Sequence, residues 1–190
     1  MAQVKKAAVR VAILDAAFRL FSERGYTATT ITMIAQEAGV STANVYVYFT
    51  SKFRIAYTLY DSWFRSRVEA LRVAVETIAE PRPRLFALLH GLWCDIPAAE
   101  NSFANCFMEA ISTLGPEDTY EPTLLRWAEV QVGGMLRGCL PGVDPLNAVR
   151  LARVTLMAFD GFAIGRKLAP GANCDHPTIE AMVTLMLGRD

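Results

Sequence analysis

Apolar residues recur at spacings of three and four from Val9 onward. Val9, Ile13, Ala16, Ala17, Leu20 and Phe21 fall on one face of a helix that Gly25 closes as a C-cap. Thr29 and Thr30 offer an N-cap to a two-turn segment, Ile31 to Ala38, with Ile34 and Ala35 on its apolar side. Gly39 breaks that segment, Ser41 caps a second short helix through Phe49, and Thr50 or Ser51 caps a long one from Lys52 to about Ala79. Further helical runs are Arg84 to Ile96, stopped by Pro97; Glu100 to Thr113, stopped by Gly115-Pro116; Thr119 to Cys139; Pro145 to Leu168; and Pro177 to Leu187. Asp144-Pro145 and Asp175-His176-Pro177 place a cap residue and a proline where helices begin. Alternating strand-like runs with hairpin turns are not evident. The pattern predicts an all-α fold of about nine helices with no internal repeat.

Within this pattern residues 31–50, ITMIAQEAGVSTANVYVYFT, have the form of a helix-turn-helix. Two helices crossing at roughly 90 to 120° leave room for only a methyl at their contact, here Ala35, and the tight turn often uses glycine, here Gly39. Val45 is placed to pack back onto the first helix. Charge sharpens the picture. Residues 1–67 hold nine Lys/Arg against four Asp/Glu, a net of +5, and residues 68–190 hold ten against fifteen, a net of −5. The neutral total is therefore a basic N-terminal third cancelled by an acidic remainder, as expected where one end meets phosphate. Lys52 and Arg54 open the long helix at the end where the macrodipole disfavours cations, a conflict that an external anion resolves. Thr30 and Ser41 begin helices with unpaired N–H groups, and Tyr46 and Tyr48 carry hydroxyls suited to phosphate. The competing roles are plain capping for Thr30 and Ser41, which is compatible with DNA binding, and packing on the long helix for the tyrosines.

The string AILDAAFRLFSERGYTATTITMIAQEAGVSTANVYVYFTSK resembles the N-terminal domain of TetR/AcrR-family transcriptional regulators. The likeness lies in the Ala-Ala and Leu-Phe pairs of the first helix, Gly-Tyr, Thr-Thr before the second helix, Ala-Gly-Val-Ser at the turn, and Tyr-x-Tyr-Phe followed by Lys. It covers about residues 11 to 52. The resemblance implies a homodimer whose recognition helices enter successive major grooves of double-stranded DNA at a pseudo-palindromic operator. It also implies a C-terminal helical domain where a small molecule binds and lowers DNA affinity. By position, Thr30, Ser41, Tyr46, Tyr48 and Lys52 match phosphate-contacting places, and Thr42, Ala43 and Asn44 match places near base edges. Asn44 is suited to pair in bidentate fashion with adenine, and Ala43 to meet a thymine methyl. The chain departs from the family at Phe53 and Arg54, where an acidic residue often follows the lysine, and at Tyr48, where histidine is common. The expected division is residues 1–51 for DNA and residues 52–190 for ligand binding and dimerisation.

Beyond residue 55 only chemistry speaks. The helix 145–168 is apolar nearly all round, with Val149, Ala152, Leu156, Phe159 and Ala163 on one side and Leu151, Thr155, Ala158 and Phe162 on another. One side suits the domain core and the other a symmetry mate, joined by Ile179, Met182, Val183 and Met186; a central helix of a monomer is the competing arrangement. Trp63, Trp93, Phe103, Phe107, Trp127 and Phe159 are candidates to line a pocket for a hydrophobic effector, against the alternative that they are simply core. Asp95, Glu109, Glu129 and Asp160, interleaved with them, would suit an apolar cation if they point inward.

The remaining composition excludes other classes. The chain has 190 residues, of which 53% are hydrophobic and 20% charged, so it is neither disordered nor low-complexity and is short for two large domains. Four cysteines, at 94, 106, 139 and 174, show no CxxC pair and no secreted framework, and are expected as reduced thiols. The basic N-terminus lacks an apolar signal core, and Val154 to Gly165 is too short to span a bilayer, which points to a cytoplasmic protein with no membrane partner. His90 and Cys94, four apart, leave open a helical thiol- or metal-dependent enzyme, but a third ligand is not evident. The glycines of VGGMLRG do not form a nucleotide loop. No cofactor, metal or catalytic residue is expected.

Overall fold

The computed structural model describes residues 2–99, 103–115, 122–169 and 175–188, with side chains from residue 6 onward. It is all-α, with nine helices among the described residues when the π-turn and short α-turn after residue 90 are counted as a continuation of the helix before them. These are α1 (Ala2–Ala28), α2 (Ile31–Glu37), α3 (Thr42–Tyr48), α4 (Lys52–Glu76), α5 (Pro81–His90), α6 (Phe103–Ser112), α7 (Thr123–Cys139), α8 (Pro145–Leu168) and α9 (His176–Leu187). The expected start points Glu100 and Thr119 lie outside the described residues. No helix among the described residues is long and apolar enough to cross a membrane.

The caps read from the sequence are formed. Thr30 Oγ1 accepts from Met33 N at 3.2 Å, Ser41 Oγ from Asn44 N at 3.1 Å, and Ser51 Oγ from Arg54 N at 3.1 Å. Asp144 Oδ1 accepts from Leu146 N and Asn147 N, and Asp175 Oδ1 from Thr178 N at 2.9 Å. Each such side chain satisfies one or two of the four N–H groups a helix start leaves unpaired, worth about 1 kcal/mol per cap.

Four details differ from expectation. Gly25 breaks the helix as expected, at the non-helical φ 78° and ψ 170°, but a separate last turn, counted here within α1, follows it to Ala28. Only glycine takes that conformation without strain, and Thr29 Oγ1 secures the break by donating to the Gly25 carbonyl at 2.8 Å. Pro97 does not stop its helix. A proline lacks the N–H for the i−4 carbonyl and its ring collides with that carbonyl; a π-turn at Gly91–Asp95, in which Ile96 N donates to Gly91 O, widens the helix just ahead of it, and one α-turn, Ile96–Ala98, follows. Cys94 is not a reduced thiol but lies in a disulfide, whereas Cys106 and Cys139 are buried thiols and Cys174 lies outside the described residues. Spacing along the chain could not show which cysteines approach closely enough to bond. Finally, Ile179 and Val183 are fully buried within the chain instead of facing outward.

The helices gather into two compact units. The first comprises Met1–Trp63 and Glu100–Thr119, which contain α1, α2, α3, the first half of α4, and α6. Its core is built from Ile13, Ala17, Phe21, Ile34, Val45 and Ile55, with Phe103 of α6 packed on Phe18 at 4.9 Å. The second comprises Phe64–Ala99 and Tyr120–Asp190. There α7 packs on α8, and Glu129, buried on α7, receives Arg153 of α8 at 2.7 Å. Gly91 lets the helix that continues α5 approach α4 closely, since a Cβ there would collide with Leu71 Cδ1.

Candidate nucleic-acid interface

The crossing of α2 and α3 is closed by small and branched side chains. Ala35 and Ile34 of α2 and Val45 of α3 are buried, which holds the two short helices in one orientation. Between them Gly39 adopts φ 67°, with open space where a side chain would stand, so backbone conformation alone requires glycine there. The turn is fixed by Gly39 N donating to Gln36 O and by Val40 N donating to Ala35 O at 2.9 Å.

With Val45 facing inward, the rest of α3 faces out. Thr42, Ala43, Tyr46 and Val47 are exposed, and Asn44 and Tyr48 are half-buried. Thr30 and Ser41 are exposed at the starts of α2 and α3, each with its hydroxyl oxygen engaged in the cap. Thr30, Ser41, Thr42, Ala43, Asn44, Tyr46 and Tyr48 thus all belong to the compact turn formed by α2 and α3.

Lys52 is placed differently. Its Nζ donates to the carbonyls of Tyr26 at 3.0 Å and Thr29 at 2.9 Å, and stands 4.0 Å from the centroid of the Tyr26 ring. A cation there adds a second donor to the Tyr26 carbonyl, which also accepts from Thr29 N at 3.2 Å, and a donor to the Thr29 carbonyl just past α1, in keeping with the negative end of a helix. Burial draws the ammonium below the ordinary lysine value, while charge on Cys106 and Glu109 opposes that shift. Glu109 of α6 accepts from Tyr26 N at 3.1 Å and Thr27 N at 3.4 Å, just beyond the Gly25 kink. Glu109 and Lys52 therefore fix the main chain leading into α2 from two sides. Sequence reading missed this use of Glu109, because its partner lies 83 residues away. Arg54 extends over Tyr57 at 5.6 Å, and the Arg10 guanidinium lies 5.3 Å from the Phe49 ring centroid.

The six aromatic candidates for a ligand site divide between the two units. In the first, Trp63 meets Phe103 edge-on at 5.5 Å and Phe107 stacks on Tyr60 at 4.0 Å, with Phe103 and Phe107 buried. In the second, Trp93 donates its indole N–H to the Thr155 carbonyl at 2.9 Å, Phe159 packs on Phe64 at 5.3 Å, and Trp127 carries the Arg65 guanidinium 4.4 Å from its ring. The second unit also holds a groove of about 370 Å³ with Trp93 at its wall; Leu140, Leu151, Val154, Met182 and Leu185 complete most of the lining. Of these only Trp93 is among the ligand candidates read from the sequence, which assigns Leu151 and Met182 to a face for a symmetry mate.

Three of the four acids weighed as partners for a cation are occupied. Glu109 holds the Tyr26 main chain, Glu129 holds Arg153, and Asp95 Oδ2 lies 3.2 Å from His90 Nδ1. Asp160 is partly buried, and that burial pushes its carboxyl up to about 6. The His90–Cys94 pair does not form a thiol nucleophile, because the Cys94 sulfur is in a disulfide and His90 turns to Asp95 across the π-turn.

Residues 13–55 match the family model described as bacterial regulatory proteins, tetR family. The HTH-type transcriptional regulator HbdR of Aromatoleum sp. (strain CIB) is 37% identical over 81 residues, 43% of this chain and 34% of that protein. The HTH-type transcriptional regulator BetI of Rhizobium meliloti (strain 1021) is 35% identical over 80 residues, 42% of this chain and 39% of that protein. These matches span little more than a third of the relatives' own length, and both relatives are regulators, not enzymes. Among solved structures, FadR from Bacillus subtilis in complex with stearoyl-CoA superposes with a TM-score of 0.61 at 18% identity, covering 95% of this chain and 99% of that one. At such identity the likeness concerns the fold, which extends beyond the matched N-terminal segment to nearly the whole chain. The buried Ala35–Val45 crossing, the Gly39 turn and the match over residues 13–55 together make the N-terminal segment of this chain similar to the helix-turn-helix of the tetR family of bacterial regulatory proteins.

Proposed function

We propose that this chain is a ligand-responsive transcriptional repressor that binds a pseudo-palindromic operator in double-stranded DNA as a homodimer and is released by a hydrophobic small molecule. The observation that carries it is the outward face of α3, exposed along its length on a helix-turn-helix within a basic N-terminal third. Residues 1–51 read the DNA. Thr42, Ala43 and Asn44 meet base edges; Thr30, Ser41, Tyr46 and Tyr48 meet phosphates; Lys52 offers them the one N–H not spent on the carbonyls of Tyr26 and Thr29.

Residues 52–190 bind the effector and form the dimer. The aromatic content of this part and the fold likeness to a FadR that holds stearoyl-CoA both support an apolar effector. Of the six aromatic candidates, Trp93, Trp127 and Phe159 lie in the second unit, and Trp93, which faces its groove, is the residue against which the effector would lie. Dimerisation draws on the exposed apolar side chains of α8 and α9, Val154, Met157, Ile164 and Leu185. The effector acts by stabilising a dimer whose recognition helices are wrongly spaced, and shifts the equilibrium only as far as its affinity differs between the two states.

A gel shift with the DNA flanking its own gene tests the reading. Binding should weaken steeply as salt rises, with a slope of log affinity against log salt near about −0.9 per phosphate contacted. Absence of binding at low salt by an intact dimer would sink it.

A further inference from the structure

The outermost part of α3 is apolar. A helix turns about 100° per residue, so the positions two before and two after the buried Val45 lie about 160° from it on either side and, being four apart, stack on each other. They are Ala43 and Val47. Val47 is 72% exposed, and Ala43 is exposed beside it. α3 carries no charged side chain, and its one amide, on Asn44, stands half-buried to the side. The nearby cations are turned elsewhere: Lys52 to the Tyr26 and Thr29 carbonyls, Arg10 onto Phe49, and Arg54 over Tyr57. A single exposed valine is ordinary on a protein surface. Here it stands at the tip of the helix that the DNA-binding reading directs into the major groove, where guanidinium or amide groups would be needed to read guanine or adenine directly. The apolar feature on a base edge in that groove is the C5 methyl of thymine.

We propose that Ala43 and Val47 form a methyl-reading pair that selects thymine within each half-site, with Val47 the specificity-determining residue. This rests on the DNA-binding function proposed above. Contact between the Val47 methyls and a thymine methyl removes both from water, and each carbon buried contributes a factor of roughly fourfold in affinity. Thr42 and Tyr46, exposed on one flank, and Asn44 on the other keep the polar contacts that set register.

The test selects duplexes from a random double-stranded pool with the full-length protein. The winning duplex is then resynthesised with uracil in place of each thymine in turn, which removes only the methyl. Wild type should lose roughly fourfold at one or two positions per half-site. Val47→Ala should lose a similar factor on the thymine duplex and become indifferent to uracil at one of those positions, while Val47→Ile keeps the thymine preference. Thermal melting of each variant verifies that the exposed substitution leaves the fold intact. Uracil tolerated by wild type at every position overturns the proposal, as does Val47→Ala retaining the full wild-type preference for thymine over uracil. Failure to enrich any duplex would overturn the DNA-binding reading itself, and this inference with it.

Discussion

At the scale of single residues, Lys52 and Asp160 each carry a charge that their surroundings must accommodate. Lys52 stands out in the sequence as a cation at the wrong end of a helix, and an external anion is the natural resolution. The structure supplies a second one inside the protein: the ammonium serves the end of α1, with the Tyr26 and Thr29 carbonyls and the Tyr26 ring as its surroundings. Asp160 is the converse case, an acid that the sequence sets within an apolar helix as a candidate to face a cation. Its carboxyl is pushed from 3.8 to about 6 by burial. Below pH ~4 it is protonated in both folded and unfolded chains; as pH rises through about 6 the folded chain holds its proton longer than the unfolded one, so stability falls across that window. Asp160→Asn should therefore raise stability at pH ~7.5, by roughly 2 kcal/mol, and flatten the dependence between about pH 4 and 6. Urea unfolding at a series of pH values checks both; an unchanged slope refutes the assignment.

At the scale of elements, caps and turn residues locate helices because they act over three or four residues, which a sequence displays. Thr30, Ser41, Asp144 and Asp175 cap where their positions indicate. Elements were misjudged where one residue is tolerated through a change in its surroundings. Pro97 is accommodated by the π-turn ahead of it, and the last turn of α1 can follow the break at Gly25 because Thr29 and Glu109 take up the main-chain groups released there. Glu109 thereby ties α6 to the segment entering α2. Glu109→Gln keeps the size but weakens acceptance from the Tyr26 and Thr27 N–H groups and removes a negative charge near Lys52. It should cost the first unit about 1 kcal/mol and raise amide exchange at Tyr26 and Thr27, read by hydrogen exchange. Equal exchange in the two proteins would show that the carboxylate does not hold this turn.

At the scale of the molecule, α8 and α9 carry several apolar side chains left uncovered by the chain's own packing. Val154, Met157 and Leu185 are 63%, 64% and 77% exposed, while Ile179 and Val183 of the same region are buried. Leu185→Glu should convert the proposed dimer to a monomer in sedimentation while leaving helical content unchanged, because the substituted position supports no core within the chain. A dimer surviving that change, or a helix loss accompanying it, would place the interface elsewhere. The sequence by itself determined the all-α class, the helix starts, the helix-turn-helix and the uneven charge, since all of these depend on periodicity, caps and residue type within a few positions. Only the tertiary structure decided that Glu109 and Lys52 brace the approach to α2, that Cys94 is bonded, that the candidate aromatics fall into two groups, and that Val47 stands outermost on α3. Those outcomes depend on which distant surfaces pack together, and packing energy is set by the summed fit of many side chains that no local pattern contains.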